Sequence, residues 1–310
     1  MNRYLMVFYV FLAVGSATGN AREWVALDGR KLQAEFVSVT ADSVTVKRDS
    51  DGKSFTIALE KLSEADQNWV KENEAKAKAA SEGPMPVTGP YAGQITGNWE
   101  LAEYRKLPYT IYGKDLDGSK KYPLIIGLHG KSENNENGKQ KGIVNRFAQK
   151  ARYADHPAIL VAPLCYQPFG GTGGGWGDKP GKEAVGLIKD LIKNLPIVDP
   201  DRVYLLGTSM GGGGTASIIS SETKLFAAGI VICGWVDSGA AKAFKKVPVW
   251  AFHGDADTVV DPGSIQKLAD KLKRSKIFKY TEFPGAGHNI SGQVFDNKEV
   301  YDWLYAQKRP

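Results

Sequence analysis

From about residue 91 onward the sequence predicts an α/β fold, a mostly parallel sheet flanked by helices, and a small β module precedes it at 22–72. Three observations carry this. Strand-like and helix-like segments alternate along 91–310, as βα units do. The runs Leu124-Ile-Ile-Gly-Leu128 and Gly229-Ile-Val-Ile-Cys233 are apolar throughout, as strands covered on both faces require. Before residue 73 the pattern is different: short alternating strands divided by Asp-Gly turns.

At the start of the chain, Asn2-Arg3 supplies a short basic region and Tyr4–Val14 an apolar run. Small residues follow at Gly15-Ser16-Ala17 and Gly19-Asn20-Ala21. Residues 1–21 are therefore read as a signal peptide, cleaved after Ala17 or Ala21, with an uncleaved anchor as the alternative. The run is shorter than the ~20 residues a membrane span needs, and no transmembrane segment is expected in the mature chain. The predicted compartment is secreted or periplasmic, which would permit a disulfide. The two cysteines, Cys165 and Cys233, each end a strand-like run. If those strands are not neighbours, the thiols are too far apart to bridge, and two free buried thiols are expected.

In the module at 22–72, Trp24-Val-Ala-Leu leads to the turn Asp28-Gly29, and Leu32, Ala34, Phe36, Val37 and Val39 form an alternating strand. Val44 and Val46 continue the pattern, Asp51-Gly52 turns it, and Phe55, Ile57 and Leu59 return. Ser63 starts a helix, with Asp66 completing a Ser-x-x-Asp cap. Several short strands and one helix predict a small barrel. The run 71–80 continues the helix, and Gly83-Pro84 and Gly89-Pro90 interrupt regular structure, so 73–90 is read as a linker.

In the larger domain, 91–310, strands are predicted at 107–112, 123–128, 158–162, 202–207, 226–233, 247–253 and 278–283. Helices are predicted at 147–151, 182–195, 210–221, 263–273 and 297–306. A formal charge of +6 comes from 40 basic and 34 acidic residues without a basic stripe, so nucleic acid is not an expected partner.

The strongest chemical signal is Gly207-Thr-Ser209-Met-Gly211, which follows a predicted strand and opens a small-residue helix. A nucleophile on a sharp strand-to-helix turn needs space two residues to either side, which glycine supplies. The N–H of Met210, at the helix start, points at a developing oxyanion. A serine hydroxyl needs a base. Of the four histidines, His129 and His253 end strands and His156 sits in a polar connection, whereas His288 lies late in the chain on the glycine loop Pro284-Gly-Ala-Gly-His288. His288 is the candidate base. A carboxylate must hold its tautomer. Asp257, in His253-Gly-Asp-Ala-Asp257-Thr-Val-Val, is the candidate, with Asp255 as the alternative. Neither cysteine has metal-ligand spacing with a histidine, and no metal or cofactor is expected. Gly170–Gly175 with Trp176, and Trp235, follow strand ends and are candidate substrate contacts.

Two resemblances follow from these residues. Trp24…Gly29-Arg30…Ala34…Phe36-Val37, ending in Leu62-Ser63…Asp66-Gln67…Trp69, resembles the Sla-homology domain one, an SH3-like β-barrel module, which implies a peptide or protein ligand. Residues 100–308 are similar to the α/β-hydrolase superfamily, in its carboxylesterase, dienelactone-hydrolase and prolyl-oligopeptidase-like group. The matching blocks are Tyr122–Gly130, Asp199–Gly212, Pro248–Val260 and Tyr280–His288. That resemblance implies the α/β-hydrolase fold, Ser209 as nucleophile, Asp257 as acid and His288 as base. It also implies that the strands ending at Cys165 and Cys233 are not adjacent. In such enzymes the residue after His-Gly, here Lys131, gives the second oxyanion N–H, although Lys131-Ser-Glu-Asn-Asn-Glu departs from the small-residue stretch usual there.

The implied function is a secreted serine esterase working through an acyl-enzyme. Its substrates would be small-molecule esters or acyl groups on polysaccharides. The rivals are a prolyl-oligopeptidase-like peptidase, disfavoured because 310 residues leave no room for a propeller domain, and a binding protein on an inert hydrolase scaffold.

Overall fold

The computed structural model describes residues 21–81, 84–133, 138–167, 175–237 and 239–309. Residues 1–20 of the expected signal peptide and the glycine stretch 170–174 lie outside the described residues. The chain divides into two compact units, Met1–Pro84 and Met85–Pro310. Among the described residues no helix is long and apolar enough to cross a membrane.

The first unit is an antiparallel meander: β1 (Arg22–Val25), β2 (Lys31–Val39), β3 (Ser43–Arg48) and β4 (Ser54–Ala58) pair in chain order. The Asp-Gly turns fall where expected, with Gly29 and Gly52 at φ 82° and 66°, a region glycine adopts without a Cβ penalty. The four strands form an antiparallel sheet whose outer strands, β1 and β4, do not pair with each other. After β4 a 3₁₀ turn at Leu59–Lys61 returns the chain to the end of β1, where Leu62 bridges Ala26, Leu27 N–H donates to Lys61 O (2.9 Å) and Ser63 N–H donates to Val25 O (2.8 Å). Trp24, Ala34, Val44, Val46, Leu62 and Val70 form its core.

Helix α1 (Glu64–Ser81) begins at the predicted cap and runs through the first half of the stretch 73–90. Ser63 Oγ accepts from the N–H of Asp66 (3.2 Å) and donates to its carboxylate (2.9 Å). Asp66, almost fully buried, also accepts from the N–H of Val25 (2.7 Å) and pairs with Arg22. Removing one partner of a buried pair costs about 3–5 kcal/mol. At roughly 0.1 kcal/mol per residue the unit has only about 6 kcal/mol in total. Asp66→Ala is therefore expected to leave residues 22–81 folded but with only about 1–3 kcal/mol of stability, the second unit being unaffected; amide hydrogen exchange resolved by segment, much faster in 22–81 alone, reads this directly.

The second unit contains an eight-stranded sheet: β5 (Glu100–Tyr104), β6 (Leu107–Tyr112), β7 (Tyr122–Leu128), β8 (Ile159–Pro163), β9 (Val198–Thr208), β10 (Ala228–Ile232), β11 (Val249–Gly254) and β12 (Phe278–Phe283). Its order is β12-β11-β10-β9-β7-β8-β6-β5, and β12 through β8 run parallel. Every residue of β7 and β10 is buried, as their unbroken apolar runs require. The helices are α2 (Lys150–Asp155), α3 (Lys179–Asn194), α4 (Met210–Ser221), α5 (Ala240–Ala243), α6 (Gly263–Leu272), α7 (Ser291–Asp296) and α8 (Lys298–Ala306).

The connection from β7 runs to β8 on one side, and the chain then crosses back to β9 on the other. That reversal opens a crevice at the carboxyl ends of β7 and β9, where open α/β sheets bind ligands. Cys165 and Cys233 follow β8 and β10, which two strands separate, and both thiols are free and buried.

Candidate active site

Strand β9 delivers Ser209 to the crevice. The serine sits at φ 55°, ψ −118°, a conformation L residues adopt rarely. Two backbone bonds hold it: its N–H donates to Ile232 O (2.8 Å), and its carbonyl accepts from Gly213 N–H (3.0 Å). The flanking glycines are required by contact. A Cβ on Gly207 would collide with the carbonyl oxygen of Gly211, and one on Gly211 with that of Leu128.

Strands β11 and β12 deliver the other groups. His288 Nε2 lies 2.8 Å from Ser209 Oγ, and His288 Nδ1 lies 2.7 Å from Asp257 Oδ2. Since the carboxylate can only accept, Nδ1 donates and Nε2 is left to accept from the serine. Asp257 Oδ1 accepts from the N–H groups of Val259 (2.8 Å) and Val260 (3.0 Å).

Asp255, the alternative carboxylate, accepts instead from Gly285 N–H (2.6 Å). With Ala256 N–H donating to Ala286 O (3.0 Å), it laces the loop after β11 to the loop that carries His288.

Burial raises the Asp257 carboxyl, and the hydrogen bonds from His288, Val260 and Val259 outweigh it, holding the group at about 2 against an ordinary 3.8. A depressed carboxylate stabilises the fold above its ordinary value and loses that contribution as pH falls through the folded one. The stability difference between the native chain and Asp257→Asn is therefore expected to shrink between about pH 4 and pH 2. Urea midpoints across that window test it.

Two further groups face the same carboxylate. His253 is fully buried, and its Nε2 stands 3.1 Å from Asp257 Oδ2 and 3.0 Å from Val260 O. Both partners are acceptors, so Nε2 carries the hydrogen; Nδ1 is buried without a partner. Cys233 has a φ of 46°. Burial first, opposed by the Gly254 backbone and reinforced by Asp257, pushes its thiol up to about 12. Cys233, Asp257 and His288 bring one potential metal-ligand atom each within 4.8 Å of one another.

His129 serves another end. Its Nε2 accepts from Cys165 N–H (2.9 Å), its Nδ1 donates to Gly130 O (2.6 Å), and its carbonyl accepts from Trp176 Nε1 (3.1 Å). It pins the turn that leads into Lys131, which starts a short 3₁₀ segment at the end of β7, with its side chain exposed. Met210 is the first residue of α4. Trp176 and Trp235 both press on α4, against Gly214 and Gly213. His156 lies elsewhere, stacked on Tyr305 at 4.4 Å.

Comparison with known proteins gives relatives of two kinds. Residues 172–242 match the Prolyl oligopeptidase family. A probable feruloyl esterase C of Aspergillus flavus is 28% identical over 190 residues, 58% of this chain and 66% of that protein. A probable dipeptidyl-peptidase 5 of Aspergillus terreus is 30% identical over 146 residues, 43% of this chain but 18% of that protein. The crystal structure of a thermostable esterase superposes with a TM-score of 0.61 at 29% identity, covering 68% of this chain and 63% of that one. The chain thus spans about two thirds of the length of its esterase relatives. Together with the mostly parallel sheet, these likenesses support an α/β-hydrolase fold.

Proposed function

We propose that this chain is an exported serine esterase acting through Ser209, His288 and Asp257. The reading is carried by one observation: Ser209 Oγ, at a strand-to-helix turn, lies 2.8 Å from an imidazole whose far nitrogen is 2.7 Å from a buried carboxylate. The esterase relatives add support, since they match over more of their length than the dipeptidyl-peptidase does. The apolar run Tyr4–Val14 supports export.

In the proposed cycle His288 Nε2 takes the hydroxyl proton as Ser209 Oγ bonds to the ester carbonyl carbon. The carbonyl oxygen becomes an oxyanion facing the N–H of Met210 and, in this reading, that of Lys131. Collapse breaks the bond to the alcohol oxygen, which leaves with the proton from His288. A water molecule repeats the sequence on the acyl-serine and releases the acid. Acyl groups on polysaccharides fit the exported setting. Residues 22–72, for which the SH3-like likeness is proposed, would contribute a peptide- or protein-binding function.

Peptide cleavage is the second reading, because the Prolyl oligopeptidase match covers the nucleophile turn. Purified full-length protein tested against para-nitrophenyl esters and the matching para-nitroanilides separates the two. Ester turnover with fluorophosphonate labelling of Ser209 is expected. Anilide turnover alone would overturn the esterase reading, and the absence of labelling and turnover would leave an inert scaffold.

A further inference from the structure

The proposed cycle uses one imidazole, yet a second one reaches the same carboxylate oxygen. His253 lies near the end of β11, whose six residues are all buried, and its Nε2–H donates to Asp257 Oδ2 (3.1 Å) and to Val260 O (3.0 Å). Its Nδ1 is buried with no partner among the described residues. A buried nitrogen left unpaired carries a cost that an apolar side chain at this position would avoid. The reason for a histidine here therefore lies at Nε2.

We propose that His253 is a positioning residue for ester cleavage: it fixes Oδ2 of Asp257 and, through that oxygen, the imidazole of His288. The proposal rests on the esterase reading above. Three features lead to it.

The first is how the donors divide. Oδ1 takes the N–H groups of Val259 and Val260, and Oδ2 takes His288 Nδ1 and His253 Nε2. Two donors on each oxygen match the lone-pair sites of a carboxylate, so Oδ2 is held in direction as well as place. The neighbouring Cys233 thiol offers only a weak donor.

The second is rigidity. His288 rides on the partly exposed loop 284–290, where Gly285 turns at φ 70°. His253 is fully buried within the sheet, in register with Glu282 of β12. Of the two imidazoles that share Oδ2, His253 is the one the sheet holds. Its bond passes that fixed position to the carboxylate, and the carboxylate passes it to His288.

The third is closure of the turn. Val260 gives its N–H to Oδ1 and its carbonyl to His253 Nε2, so one imidazole ties both ends of the turn Asp257–Val260 to the strand.

Removing the His253 donor acts in two directions. Oδ2 keeps more charge for His288, which favours the imidazolium, but its position is no longer fixed. Misplacing a reacting group by about 1 Å costs up to ~10²-fold. The released charge is shared among three remaining N–H donors, so misplacement outweighs it.

Full-length variants are assayed on para-nitrophenyl acetate. His253→Leu is expected to lower kcat at least ~10-fold with KM within ~2-fold, as for an interaction realised in the transition state. The amide nitrogen of His253→Gln stands as many bonds from Cα as the imidazole Nε2 and carries hydrogens for both acceptors, so kcat is expected to recover to within ~3-fold of the parent. His253→Asn sets its amide at the place of Nδ1, which has no partner, and is expected to stay as low as the leucine variant. It supplies the comparison with glutamine if His253→Leu does not fold. Combined with Asp257→Asn, His253→Leu is expected to cost less than ~3-fold, because the oxygen it positions is gone. A parental kcat in His253→Leu, equal kcat in folded glutamine and asparagine variants, or a loss as large beside Asp257→Asn as alone overturns the proposal while the esterase reading stands. A parent with neither ester turnover nor fluorophosphonate labelling overturns both.

Discussion

Replacing Ser209 by alanine is expected to lower kcat on para-nitrophenyl acetate by about 10⁵–10⁶-fold. The size of the effect follows from how the three groups work together. His288 Nε2 is 2.8 Å from Ser209 Oγ, and without that oxygen the imidazole has no nucleophile to deprotonate. What remains is backbone N–H groups around the oxyanion, which still favour attack by water by a residual factor of ~10³–10⁴ over solution. The fold should tolerate the change. Alanine meets the same φ of 55° with the same Cβ, and the backbone bonds to Ile232 and Gly213 do not involve the hydroxyl. Denaturant midpoints within experimental error of the parent, beside a kcat lowered by less than ~10²-fold, would show that another group performs the attack.

Much of this site was legible in the sequence because its parts sit at the ends of unmistakable strands. The fully apolar runs at 124–128 and 229–233 read as doubly covered strands, and they are β7 and β10. The turn at Ser209 was legible from its two glycines set between a predicted strand and a predicted helix, and contacts with Gly211 and Leu128 are what require those glycines. Strand β5 (Glu100–Tyr104) was not read, because its alternating exposure at the sheet edge mixes charge with apolar residues. The predicted helix at 147–151 begins only at Lys150, after a 3₁₀ turn.

The neighbours of the candidate triad were harder to read. His253 reads as support for the loop after its strand. Its approach to Asp257 Oδ2 depends on how that loop folds back, which no periodicity encodes. The contribution of His129 is similar: its bond to the N–H of Cys165 joins strands far apart in sequence. In the first unit the return of Lys61–Ser63 to the end of the first strand follows a 3₁₀ turn at Leu59–Lys61, a pairing that hydrophobic alternation does not encode.

Asp257→Asn is expected to reduce kcat by about 10⁴-fold, and the donors around the carboxylate explain why an isosteric change has so large an effect. The asparagine oxygen takes the place of Oδ1 and keeps the N–H groups of Val259 and Val260. The amide NH₂ then occupies the position of Oδ2, where two imidazole N–H groups now donate, from His288 Nδ1 and His253 Nε2. Donor meets donor at both. His288 can relieve this only by giving up the Nδ1 hydrogen and carrying it on Nε2, so that it donates to Ser209 and no longer accepts its proton. His253 can shift its hydrogen to Nδ1, which has no partner in the native arrangement. The base is then in the wrong tautomer although every heavy atom is in place. Reversing the amide does not help, because it turns NH₂ toward the two valine N–H groups. Activity that survives Asp257→Asn within ~10-fold would mean that the tautomer of His288 is set elsewhere, with Asp255, which bonds to the His288 loop, the nearest alternative in sequence; Asp255→Asn assayed beside it tests that alternative.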